Sequence, residues 1–153
     1  MMEIFCSYVQ PAKRMVTKKL AETTEPWSCT WMRDDHVRNL FVPKGYIWDG
    51  ASVPRIAWSI VGITPFGAAD GTSLTHDALY RAMGGDKPEG WKGCTLTDER
   101  GRLVYVTRNE ADQLMRRMFI GAEYRAAQAT VAYRVVDIFG PKHWGGPIPA
   151  LRR

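Results

Sequence analysis

The chain has no long hydrophobic run: no stretch approaches the roughly 18 consecutive apolar residues that a membrane-crossing helix needs. Its first residues, Met1-Met2-Glu3-Ile4-Phe5-Cys6, lack the basic, apolar and small-residue order of a secretory leader, so synthesis and initial residence in a cytoplasm are expected. Cysteine is scarce. Cys6, Cys29 and Cys94 are widely separated and odd in number, which argues against a disulfide framework or a CxxC-type zinc site and makes buried, reduced thiols the expectation. No internal repeat and no low-complexity tract is present. The Gly-x-Ser-x-Gly elbow is absent too, so Ser52 in Asp49-Gly50-Ala51-Ser52 reads first as a turn-capping residue and only second as a nucleophile.

What is present suits one compact domain spanning residues 1–153. With 45% hydrophobic and 24% charged residues the chain can bury a real core. The net charge of +5 is compatible with nucleic acid, anionic lipid or an acidic partner. Its basic residues are scattered, however, and the one tight group, Lys13, Arg14, Lys18 and Lys19, is interleaved with apolar residues in the manner of a solvated strand face. No specific nucleic-acid partner is expected.

The order of patterns predicts an α+β fold, with N-terminal β hairpins and a second central hairpin packed against about three helices. Trp27, Cys29 and Trp31 alternate with small or polar residues, Arg33-Asp34-Asp35-His36 is turn-like, and Val37 to Val42 is a second extended run. From Pro43 to Gly71, Gly, Pro and aromatic residues predict an ordered loop region, with a short helix over Pro54 to Val61. Helical period over Ala68 to Met83 ends at Gly84-Gly85. Cys94 to Thr97 and Arg102 to Val106 predict the second hairpin, turning at Gly101. Thr107 and Glu110 form a capping-box pattern, and Ala111, Leu114, Met115, Met118, Phe119 and Ala122 trace an apolar stripe. A last helix is predicted from Tyr124 to Phe139, with Gly140 to Arg153 as an extended arm or surface segment.

The chemistry centres on Thr75-His76-Asp77-Ala78-Leu79-Tyr80. At 100° per residue, Thr72, His76, Leu79, Tyr80 and Met83 share one helix face, with Asp77 at its border. An imidazole and a carboxylate facing inward need partners, and Asp112, at the edge of the next helix's stripe, is the candidate. Antiparallel packing would let Asp112 accept from one ring nitrogen of His76 and leave the other as a general base, with Asp77 free for a cation or a structural hydrogen bond. A His and two Asp on helices more often form a satisfied buried network, here one that locks two helices. His36 and His143 read as surface residues, and Tyr80 and Trp58 as core aromatics.

Phe41-Val42-Pro43-Lys44-Gly45-Tyr46, Asp49-Gly50-Ala51-Ser52-Val53-Pro54-Arg55, Trp58, Pro65, Gly67, His76-Asp77-Ala78-Leu79-Tyr80-Arg81, Arg108-Asn109-Glu110-Ala111-Asp112 and Val135 to Gly140 resemble, in that order, a phage and prophage family known as domain of unknown function 1353. The resemblance covers about residues 40 to 140, leaving the N-terminal strands and the C-terminal arm outside. It implies a tailed-bacteriophage or prophage product, found in the virion after synthesis in the host cytoplasm. Ser52 and Arg108, inside these motifs, become further site candidates.

More distantly, the His-Asp-x-x-Tyr helix paired with an Ala-Asp helix is similar to calcium-dependent phospholipases. That likeness implies His76 as the base, Asp112 as its orienting carboxylate, Tyr80 beside them and Asp77 as a calcium ligand. Further oxygens would come from Trp48-Asp49-Gly50, making Asp49 a second metal candidate, or from Thr64-Pro65-Phe66-Gly67. Three functions follow as expectations. The first is a virion structural or assembly component of tail, neck or baseplate, contacting other virion proteins or copies of itself. The second is a calcium-dependent, phospholipase-like ester hydrolase acting at the host envelope, with anionic lipid as partner. The third is a protein that binds a host factor.

Overall fold

The computed structural model describes residues 2–4, 10–49, 66–122, 126–142 and 144–145. Ser52, the short helix predicted over Pro54 to Val61, Trp58, Cys6 and His143 lie outside the described residues.

The longest strands come from the alternating tryptophan segment. β4 (Trp27–Arg33) and β5 (His36–Val42) pair antiparallel over their whole length, from Trp27 opposite Val42 to Arg33 opposite His36. Their two-residue turn, Asp34-Asp35, has positive φ at both positions (50° and 63°), the backbone twist that a tight hairpin requires. Trp27, Cys29 and Trp31 point inward from β4 and meet Leu40 and Val42 of β5 in the core. β1 (Met2–Ile4) adds to the outer side of β4, and β7 (Thr95–Thr97) to β5, giving a four-stranded antiparallel sheet of order β1-β4-β5-β7. A second antiparallel sheet, not anticipated from the sequence, joins β2 (Lys13–Met15), β3 (Ala21–Thr23) and β6 (Ile47–Trp48).

The predicted central hairpin is only half formed. After β7 the chain turns at Gly101 (φ 75°), but the return segment makes one isolated bridge, Leu103 to Thr97, and no strand. The reason lies one residue further on: Val104 N–H still donates to Leu96 O, whereas Val106 N–H donates to Gly84 O, so the chain leaves the sheet to dock on the end of a helix.

That helix, α1 (Asp70–Arg81), lies within the predicted 68–83 span and ends in a 3₁₀ turn, Met83–Gly85. Ten of its twelve residues are buried, including Thr72, Ser73 and Thr75. The hydroxyls of Ser73 and Thr75 are satisfied: Ser73 Oγ donates to Asp70 O, Thr75 Oγ1 donates to Gly71 O, and Trp48 Nε1 donates to Ser73 Oγ at 3.1 Å. A short helix, α2 (Pro88–Trp91), follows, with proline in its first turn. α3 (Arg108–Gly121) starts where the capping pattern placed it. Thr107 Oγ1 accepts from Glu110 N–H, but the Glu110 carboxylate does not reach back to complete the box; it accepts from Trp31 Nε1 at 3.1 Å. α4 (Ala126–Phe139) follows, and its inward residues Ala129, Ala132 and Val136 join one apolar cluster with the inward faces of α1, α3 and the larger sheet. The fold is α+β, as the sequence patterns predict. A 3₁₀ turn, Gly140–Lys142, follows α4, and Trp144 and Gly145 fold back on α1, so these residues are not an extended arm.

Candidate active site

His76 and Tyr80, one helical turn apart on α1, face Asp112 of α3. His76 Nε2 lies 2.9 Å from Asp112 Oδ1, and Tyr80 Oη donates to the same oxygen at 2.6 Å. Arg108, one turn before Asp112 on α3, reaches its second oxygen, Oδ2, at 3.2 Å and continues to Asp137 of α4 at 3.5 Å. The carboxylate has no exposure and is compensated by a cation and a hydroxyl as well as the imidazole.

A carboxylate at Nε2 places the ring proton there, which leaves Nδ1 with its lone pair. No described residue bonds Nδ1, and the His76 side chain keeps 15% of its surface open. The Tyr80 ring packs on the imidazole at 4.1 Å between centroids. Burial, then donation to Asp112, holds the Tyr80 phenol well above its ordinary range, so it remains a donor throughout the pH range of a folded protein.

Asp77 lies elsewhere. It points round the helix to Arg81, whose Nη2 is 2.8 Å from Asp77 Oδ2 but out of hydrogen-bond alignment. The Arg81 guanidinium lies 5.0 Å over the Tyr46 ring. Desolvation, opposed by Arg81 and reinforced by the charge of Asp49 and a hydrogen bond with it, raises the Asp77 carboxyl to about 7. Burial pushes the neighbouring Cys94 thiol up to about 12, an inert thiol. The structure therefore brings Asp49 close to Asp77, and Asp77 to the Arg81 guanidinium. Asp77 is not left free for a cation, as the sequence pattern suggests, because Arg81 one turn on already supplies the positive charge.

Of the oxygens expected for calcium, those of Gly50, Thr64 and Pro65 lie outside the described residues, and the cation described beside Asp77 is Arg81. Among the described residues no cluster of three or more His, Cys, Asp or Glu side chains is placed to hold a metal. Sequence reasoning missed Arg81 as the partner of Asp77, although the i,i+4 spacing signals it. It also missed Asp137 and Trp144, whose contacts depend on how α4 and the segment after it return to α1.

The profile of a family described as Protein of unknown function (DUF1353) matches residues 23–136, well over half of the chain. The chain belongs to that family. No curated protein and no solved structure matches it. The match begins at Thr23 and so takes in β4 and β5, where the resemblance alone places the boundary near residue 40. His76, Tyr80, Arg108 and Asp112 all lie inside the family region; Trp144 and Gly145 lie beyond it.

Proposed function

We propose that the chain is a hydrolase in which His76 is the general base and Asp112 its orienting carboxylate. One observation carries this reading: Asp112 is wholly buried and holds three donors, while the imidazole it holds keeps Nδ1 unbonded by any described residue and its side chain partly exposed. Nδ1 takes a proton from water as the water adds to an ester carbonyl, and the imidazolium so formed rests against the Asp112 carboxylate. The proton then passes from Nδ1 to the leaving alkoxide. No step is assigned to a metal, since the positive charge placed beside Asp77 is the Arg81 guanidinium, 2.8 Å from Asp77 Oδ2.

The test is release of acid from short-chain esters and from anionic phospholipid vesicles, with and without a chelator. His76→Gln and Asp112→Asn are expected to lose about 10²-fold or more in rate, the usual scale of general-base catalysis. His76→Gln should keep the wild-type melting temperature, and chelator should change nothing. Unfolding of His76→Gln with no ester cleaved by the wild type would return the network to a structural role.

A virion-assembly reading has its own support in the outward apolar side chains of α4, Val131, Ile138 and Phe139, which are 40%, 69% and 50% exposed. On that reading the protein would be recovered from purified virions in stoichiometric copies, and recovery only from infected-cell lysate would count against it.

A further inference from the structure

The residues that follow α4 return to the outside of the dyad. Gly145 N–H donates to Tyr80 O at 2.6 Å, on the last turn of α1, and Lys87 Nζ donates to Gly145 O at 3.1 Å. The Trp144 indole meets the Tyr80 ring edge to face, 5.0 Å between centroids at 85°. Glycine is needed at 145 on two counts: φ is +77°, and a Cβ there would come within 2.6 Å of the Met83 side chain and 2.8 Å of Lys87 Nζ.

Tyr80 is thereby gripped at three points. Its carbonyl is held by Gly145, its ring by Trp144, and its hydroxyl by Asp112 Oδ1. The other face of consequence is the imidazole, 4.1 Å from the same ring. Any rotation of Tyr80 about its side-chain torsions changes both what stacks on His76 and what shares Asp112 Oδ1 with His76 Nε2. We propose that Trp144 and Gly145 are positioning residues for the His76–Asp112 dyad, supplied by a segment beyond the family-wide region and acting through Tyr80. The effect on rate rests on the general-base reading above; the effect on ring geometry does not.

The experiment is nitrogen-15 and proton NMR of the imidazole in the full-length chain, alongside ester hydrolysis. The wild type should show a slowly exchanging Nε2–H resonance for His76. Trp144→Ala should broaden or lose it and lower kcat about tenfold with little change in KM, the signature of lost orientation rather than lost binding. Trp144→Phe, which restores a ring edge against Tyr80, should recover both. Lys87→Met removes only the bond to the Gly145 carbonyl and should move the same resonance in the same direction by less. It serves as the test if Trp144→Ala does not fold. An unchanged Nε2–H resonance in folded Trp144→Ala, or in Lys87→Met where Trp144→Ala does not fold, overturns the proposal. A resonance that responds in a protein that cleaves no ester upholds the clamp and removes the general-base reading.

Discussion

At Asp77 two effects compete, and their order sets a pH dependence. Taking the carboxylate out of water favours the protonated form, and so do the charge of Asp49 and a hydrogen bond with it; Arg81 favours the charged form but wins back only part. The carboxyl therefore titrates near 7 in the folded chain against an ordinary 3.8. A raised value means that the folded state keeps a proton which the unfolded chain releases. The stability from this group is whole below about pH 4 and is lost as pH rises through 7. Asp77→Asn holds the same shape without the proton. Denaturant unfolding of the two proteins should then diverge as pH rises from 4 to 8, in favour of the variant by on the order of 3 kcal/mol. Parallel curves would mean that Asp77 is ionised throughout. The sequence showed that Asp77 stood beside His76 on a helix, but not its partner, because the choice between Arg81 and a cation depends on what Tyr46 and Asp49 place opposite.

Elements were legible where local chemistry decides them. The hairpin of β4 and β5 could be read from three alternating inward residues and an acidic turn, and the start of α3 from one threonine cap. The segment after β7 is deceptive, because it has strand-like residues but its backbone is claimed by the end of α1. Gly84 is where that happens. Its φ is +69°, its carbonyl accepts from Val106 N–H, and a Cβ would lie 1.8 Å from Val106 O. Gly101 has a similar φ, +75°, but a Cβ there would meet nothing within 4 Å. The pair separates backbone strain from collision. Gly101→Ala should cost about 1 kcal/mol, the conformational term alone, and Gly84→Ala about 3 kcal/mol or more, because backbone has to move. Equal losses in urea melts would show that the 106 segment does not dock on α1 as described.

For the molecule as a whole, the question is what makes a sheet and a helical layer one unit. The apolar cluster runs through both, as the alternation and stripe patterns implied, yet the polar joint between them had no signal in either pattern. Glu110 is the joint to the larger sheet's long hairpin: in sequence it is half of a capping box, but in the fold it accepts from the Trp31 indole of β4 and lies 3.7 Å from Arg33 and 3.8 Å from Arg38. Trp31 has no exposure, so its N–H has no alternative in water. Glu110→Gln keeps an acceptor for the indole and loses the charge facing two guanidinium groups, a cost of about 1 kcal/mol. Glu110→Ala strands the indole N–H and takes away the carboxylate charge 3.8 Å from the buried Nε of Arg38, which has no hydrogen-bond partner among the described residues, and about 3 kcal/mol is expected. In both variants the near-ultraviolet signal, to which the sheet tryptophans Trp27, Trp31 and Trp48 contribute, and the far-ultraviolet signal of the helices should fall at one shared midpoint. Two midpoints in Glu110→Ala would mean that the layers fold separately and that the single-domain expectation for this chain is wrong.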